Sequence, residues 1–212
     1  NQGATEASQT VDQVKMSPKT ASANTSYSRK LLLQSSIDVE NFIRADLAAI
    51  IALGIDHAGL DGSTDADAPN GLNDTAGILT QAFGTAGQPT YAETINMWTK
   101  VATANALAGS LGYAMNPVQT GHLMTTPKFA SGDTPIMATD SNLNGYRAPW
   151  SNQVLAGETW FGNWSDFIVG FWSGLDLIVD PFTNATTGAV RVVVHQDVDF
   201  AVRHAQSFCK GS

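Results

Sequence analysis

One stretch limits the possible folds more than any other. From Val39 onward apolar residues return at helical spacing, with Val39, Phe42, Ile43, Leu47, Ile50 and Ile51 followed by Leu53, Ile55 and Ala58. Ser35 or Ser36 can cap this helix, and Asp38 sits where the positive end of the peptide dipoles favours an acid. Gly59 and Gly62 are expected to end it, which gives a rod of more than about twenty residues and roughly 30 Å. That is long for a chain of 212 residues.

The rest of the chain has to pack around that rod. The first thirty residues are polar; Val11 to Met16 alternate poorly and Pro18 interrupts them before the β-prone stretch Thr20 to Tyr27, so two strands or an extended arm are expected. Residues 61–71, DGSTDADAPNG, are nearly pure turn chemistry, and residues 75–88 are loop-rich around Ile78, Leu79 and Phe83. A second helix is predicted from Tyr91 to about Ser110, with Ile95, Trp98, Val101, Ala102, Ala106 and Leu107 on one face and Gly109 and Gly112 closing it.

Gly112 to Pro117 reads as a short buried strand and Val118 to Met124 as a brief helix. After an irregular region, Thr125 to Gly157, come the strand-like segments Trp160 to Ile168, Phe171-Trp172, Leu175 to Val179 and Ala189 to His195. The last is an almost continuous valine run, which predicts burial on both faces.

Composition narrows the function. Hydrophobic residues make up 43% and charged ones 14%, enough apolar material for one or two packed cores. Net charge is −8 and the eleven basic residues are scattered singly, so the electrostatic footprint of a nucleic-acid binder is missing. Cys209 is the only cysteine, which rules out an internal disulfide and fits a reducing compartment. Chance in an Asn-, Ser- and Thr-rich chain accounts for the sequons at Asn24, Asn73, Asn163 and Asn184. No apolar run reaches the roughly 20 residues that span a bilayer, and no signal-peptide core opens the chain, so no membrane partner is expected. The start at Asn1 without methionine leads us to expect that an upstream segment was cleaved or lost.

Candidate chemistry is thin. Asp61, Asp65, Asp67 and Asn70 suggest a calcium loop, yet the twelfth position from Asp65 is Ala76 where a bidentate glutamate is needed, so a solvated turn is the better reading. Asp56 and His57 have no nucleophile motif beside them, and His122, His195 and His204 show no spacing that puts two ligands on one helical face. Phosphate loops, nucleophile elbows and dinucleotide fingerprints are all missing. The four tryptophans between Trp150 and Trp172 suit core packing first, and an interface or a carbohydrate-stacking platform second. The reading is therefore non-enzymatic: no catalytic residue, no cofactor and no metal site is assigned.

The order of segments carries a resemblance. The extended stretch Val11 to Tyr27, then Lys30-Leu-Leu-Leu-Gln-Ser-Ser36 and Ile37-Asp-Val-Glu-Asn-Phe-Ile-Arg44, is followed by Ile55-Asp-His-Ala-Gly-Leu-Asp-Gly62 and Ala68-Pro-Asn-Gly-Leu72. Further along stand Met115-Asn-Pro117, Gly145-Tyr-Arg-Ala-Pro149 with Ser151-Asn152, and Phe161-Gly-Asn-Trp-Ser165. Residues 170–176 (GFWSGLD), Val179-Asp-Pro181, residues 190–200 and Arg203-His-Ala-Gln-Ser-Phe208 complete the series. In this order and spacing, from about Val11 to the end, the chain resembles tailed-bacteriophage major capsid proteins of the Hong Kong 97-type fold.

That resemblance implies an α+β subunit with a long spine helix, a peripheral-domain sheet and an axial α/β domain. The implied division is 1–30 as the return strand of the E-loop or an arm, 31–88 as the peripheral domain with the spine helix, 89–175 as mainly axial, and 176–212 as return strands. In this family the E-loop's first strand and an N-terminal arm lie upstream, so Asn1 to about Ser17 is expected to be the return half of that hairpin, mobile or paired with a neighbouring chain. The implied function is a self-assembling subunit of a phage or prophage icosahedral shell, built as hexamers and pentamers around DNA. Identical subunits are its implied partners, with scaffold, maturation-protease and portal proteins as candidates beside them and packaged DNA as a non-specific neighbour that an acidic lining repels. Its implied location is the virion capsid, made in a bacterial host cytoplasm. Lys15 and Lys19 lie near the loop that cross-links some relatives, without a matching motif, and no cross-link is expected. Alternatives are an encapsulin-like protein nanocompartment shell and, in another class, a carbohydrate-binding module on the Trp150 to Trp172 aromatics.

Overall fold

The computed structural model describes residues 13–34, 39–62 and 67–212. Val11, the candidate caps Ser35 and Ser36, Asp38 and Asp65 lie outside the described residues. Of the strands expected in the first thirty residues, β1 is Lys19–Ser28; a short helix, α1 (Arg29–Gln34), which the sequence did not announce, leads toward α2 (Val39–Leu60).

The rod is α2, 22 residues long. Its C-terminal carbonyls would be orphans in an isolated helix. Here the loop that follows turns back to satisfy them: Leu72 N–H donates to Gly59 O at 2.8 Å and Asn73 N–H to Leu60 O at 3.1 Å. Gly62, at φ +78°, makes the turn. Gly59, expected from the sequence to end the helix with Gly62, lies inside it.

The first sheet is organised by β9 (Ala189–Val202), a 14-residue strand. Along one edge β1 runs antiparallel for ten pairs, from Lys19 opposite Val198 to Ser28 opposite Ala189. The other edge is shared by β8 (Asp176–Asp180) and β7 (Phe167–Phe171). Side chains alternate across a strand. Val192 and Val194 therefore turn toward Leu47 and Ile51 of α2, with Tyr27 of β1 beside them. The opposite face is only half-covered: Val193 pairs with Asn24 and His195 with Ser22. Burial of the valine run on both faces is thus corrected to one face, because a single helix covers the sheet and polar β1 residues flank its other side.

The second sheet has the order β2-β10-β6-β3-β5-β4. Its strands are β2 (Leu79–Gln81), β3 (Leu111–Met115), β4 (Asn142–Leu143), β5 (Tyr146–Arg147), β6 (Thr159–Asn163) and β10 (Phe208–Gly211). Met97 and Val101 of α3 (Tyr91–Thr103) and Leu123 of α4 (Pro117–Thr125) pack onto Tyr113, Phe161 and Cys209 in the main core. Thr90 and Glu93 form a reciprocal capping box that starts α3.

That helix stops earlier than the expected Ser110. Asn105 adopts a left-handed conformation, φ 57°, and the amides of Asn105 and Ala106 bond back to the carbonyls of Ala102 and Val101 at 2.9 and 3.2 Å. This is a Schellman ending with asparagine where glycine is usual. Ala106 is buried by that turn and not by a helical face.

Two chain segments run side by side from sheet to sheet, β6 into β7 and β9 into β10. A third apolar cluster, Leu72, Val154, Trp160 and Phe208 with Leu60 and Phe167 around it, fills the junction.

Candidate assembly surface

The sequence offered few groups for chemistry, and the fold uses most of them internally. Asp61 accepts from Asn73 Nδ2 at 3.2 Å and stands 3.9 Å from His57 Nε2, within the turn that caps α2. His122 faces Thr126 Oγ1. Among the described residues no three acidic, histidine or cysteine groups gather as a metal would require. Trp160 is buried, Trp164 donates to Gly112 O at 3.1 Å, and Trp150 and Trp172 are exposed.

One cluster escaped the sequence reading. The carboxylate of Asp166, buried between β6 and β7, accepts from Ser207 Oγ at 2.7 Å and Asn163 Nδ2 at 2.9 Å, and pairs with Arg203 Nη2 at 2.9 Å. His204 Nδ1 stands 2.9 Å from Ser207 Oγ. Serine, histidine and aspartate therefore meet, but in the wrong order for nucleophilic catalysis, where histidine stands between the other two. Ser207 donates its hydrogen bond to the aspartate and is itself buried. Burial raises the Asp166 pKa, and the hydrogen bonds from Ser207 and Asn163 with the Arg203 charge outweigh it, leaving the carboxyl below its ordinary value. Asp166 and Ser207 are 41 residues apart and meet through strand topology, so no local pattern in the sequence marks the pair.

The apolar surface is more informative. An amphipathic helix on a monomer keeps one face polar. On α2, Leu47 and Ile51 are buried, yet Phe42 is 67% exposed and Leu53 53%, with Ile50 beside them. The residues that the sequence placed on a single helical face thus divide between two. Phe182, after β8, is 83% exposed. It is held there by Asp180, whose carboxylate accepts from the amide of Phe182 at 2.8 Å and also from Thr183. The Thr183 hydroxyl and the two backbone amides lower the Asp180 pKa, so this turn is held by a charged carboxylate at neutral pH. Phe171, Trp172, Leu175 and Ile178 extend the exposed apolar surface around β7 and β8. Patches of this kind mark interaction surfaces.

A cleft of about 750 Å³ separates the two sheets. One wall is Ile55 and Gly59 of α2 with Phe167, Val169 and Phe200; the other is residues 110–114 with Arg147 and Trp164.

Comparison with known proteins agrees with this picture. Residues 1–212 match the phage capsid family. The chain is 35% identical over 198 residues to the major capsid protein of Halomonas phage phiHAP-1, covering 91% of this chain and 32% of that protein's length. It therefore spans about a third of that relative. Among solved structures, the capsid of an empty GTA particle computed with C5 symmetry superposes with a TM-score of 0.76 at 18% identity, covering 99% of this chain and 80% of that one. A Gordonia phage Cozz chain superposes with a TM-score of 0.68 at 18% identity, covering 100% and 78%. The two-sheet α+β body with its long helix is thus the Hong Kong 97-type capsid fold, and the chain belongs to the phage capsid family.

Proposed function

We propose that this chain is the shell-forming part of a phage or prophage major capsid protein, which self-assembles through identical subunits into hexamers and pentamers that close an icosahedral shell around DNA. The observation that carries the proposal is α2, apolar on the face packed against β9 and again on the face carrying Phe42 and Leu53. Large apolar side chains left exposed together on a helix face mark a surface that a partner covers. The role is structural and requires no catalytic group. Scaffold, maturation-protease and portal proteins are proposed as transient or vertex partners, and the virion capsid, assembled in a bacterial cytoplasm, as the location. Net charge −8 suits a lining that repels packaged DNA and leaves it free to slide.

The same reading divides the subunit into an arm (1–30), a peripheral domain with the spine helix (31–88), a mainly axial domain (89–175) and returning strands (176–212). In its support, α2, β8 and β9 build one body, and α3 with β3 to β6 the other. The strands β2, β7 and β10 belong to the sheet on the far side of those boundaries.

Negative-stain electron microscopy of the product of the complete gene tests the proposal. Shells or capsomers are expected, with nuclease-protected DNA inside shells recovered from infected or induced cells. Protein cargo without DNA would favour the nanocompartment alternative. Monodisperse monomers with saturable glycan binding would move the assignment to the carbohydrate-binding module.

A further inference from the structure

We infer that Lys210 and Asn73 join in an isopeptide bond within one subunit, with Glu158 as the base that moves the protons. Lys210 Nζ lies 2.8 Å from Asn73 Oδ1 and 2.5 Å from Glu158 Oε1. An amine, an amide and a carboxylate thus meet at one point, the set of groups that a transamidation needs. Their neighbours fix which way the amide faces. The lysine only donates, so the carbonyl oxygen is turned toward it, while Asn73 Nδ2 donates to Asp61 Oδ1 at 3.2 Å. With a C=O bond of about 1.23 Å, the Cγ that the amine attacks is no more than about 4 Å from Nζ.

The fold holds the three groups and thins out the water around them. Lys210 belongs to β10, which is paired on both sides by β2 and β6; Glu158 immediately precedes β6. Asn73 is anchored through its own amide to Leu60 O at the end of α2. The side chains of Lys210 and Glu158 are only 20% and 12% exposed, and Nζ lies 5.8 Å from the centre of the buried Trp160 ring. Reactants fixed at contact distance on rigid elements convert a slow bimolecular aminolysis into an intramolecular step. An ordinary ion pair needs only Lys210 and Glu158. It leaves unexplained an amide turned carbonyl-first toward the amine with a second carboxylate on its nitrogen.

The step balances without an oxidant or reductant. Glu158 takes a proton from the ammonium, the free amine adds to Asn73 Cγ, and the Cγ–Nδ2 bond breaks. Nζ gives up two protons in all, which Glu158 passes to Nδ2, and the nitrogen leaves as ammonium. Lysine ammonium and carboxamide thus become a secondary amide and an ammonium ion. Asp61 is a positioning residue, holding the amide and drawing off the departing cation. The bond ties β10 to the loop that caps α2, between residues 137 apart in sequence, and so restricts the unfolded chain as a disulfide does. It lies within one chain, is separate from Lys15 and Lys19, and does not depend on assembly.

Tryptic digestion and tandem mass spectrometry of the folded complete gene product test the bond directly. A branched peptide joining the Asn73 and Lys210 segments is expected, lighter than their sum by one ammonia, about 17 Da. Lys210→Arg, whose guanidinium stays charged, should abolish it. Glu158→Gln should lower the linked fraction at least about tenfold while its far-ultraviolet circular dichroism stays that of the natural protein. Natural protein in which the two peptides occur only unlinked would mean an ion pair and nothing more, and would overturn the inference whatever the variants do. A Glu158→Gln chain linked as fully as the natural one would overturn the role of Glu158.

Discussion

Gly59 of α2 lies against Phe200 of β9 so closely that a Cβ on the glycine would stand 2.9 Å from the ring's Cε1. Gly54, five residues earlier and exposed, has nothing within 4 Å of the same position. Both residues lower helix propensity by about 1 kcal/mol relative to alanine, so comparing the two substitutions isolates the packing effect. Gly54→Ala is expected to stabilise the subunit by about 0.5–1 kcal/mol, and Gly59→Ala to fall at least about 1 kcal/mol short of that gain. Urea denaturation of the two variants measures the difference.

Acid should loosen the subunit through Asp166. A carboxylate whose folded pKa lies below its unfolded value, about 3.9, stabilises the native state above that value, and the contribution is lost as pH falls through the folded pKa. The direction for Asp166 is downward, so stability is expected to decline from about pH 5 toward and below its lowered pKa. Asp166→Asn should be less stable by about 1–3 kcal/mol at pH 7 and show a shallower decline between about pH 5 and 3. Denaturant titrations across that range test both statements.

Burial pushes the Cys209 thiol up to about 11. The thiolate is the reactive form. In the native state at pH 8 a disulfide exchange reagent is expected to leave Cys209 unmodified, with one equivalent reacting once the chain unfolds. Rapid native labelling would contradict the packing of β10 against the main core.

Asn105 ends α3 in a left-handed conformation. Asn105→Ala, which adds strain without the side chain's local hydrogen bonding, is expected to lower stability by about 1 kcal/mol, while Asn105→Gly stays within about 0.5 kcal/mol of the natural residue. Thermal melts of the pair decide it.

The helices and the late strands were legible because their signals are local. The spacing from Val39 to Ile55 specifies α2 whatever surrounds it, and the valines from Val190 to Val194 specify a strand. Extents were less legible. Glycine marked the expected end of α3, but Asn105 made the turn; β9 runs on to Val202 because β7 supplies a partner that no local pattern announces. Which apolar residues of α2 stay uncovered depends on where β9 lies, and the Asp166 cluster depends on two crossovers meeting. Long-range topology decides both, and a single segment carries no trace of it.

The exposed apolar residues of α2 and of the Phe182 turn are predicted to be needed for assembly and not for folding. Leu53→Asp and Phe182→Asp should keep the melting temperature within about 2 °C of the natural protein, because neither side chain is buried within the subunit. Leu47→Asp, which puts a charge into the α2–β9 core, should prevent folding.

Sedimentation velocity of the complete gene product beside its Leu53→Asp variant, at about 1 to 100 µM, decides whether the exposed face of α2 is an assembly surface. Capsomer- or shell-sized species are expected for the natural protein and folded small species for the variant. A natural protein that sediments as a monomer throughout, or a variant that assembles equally well, would contradict it.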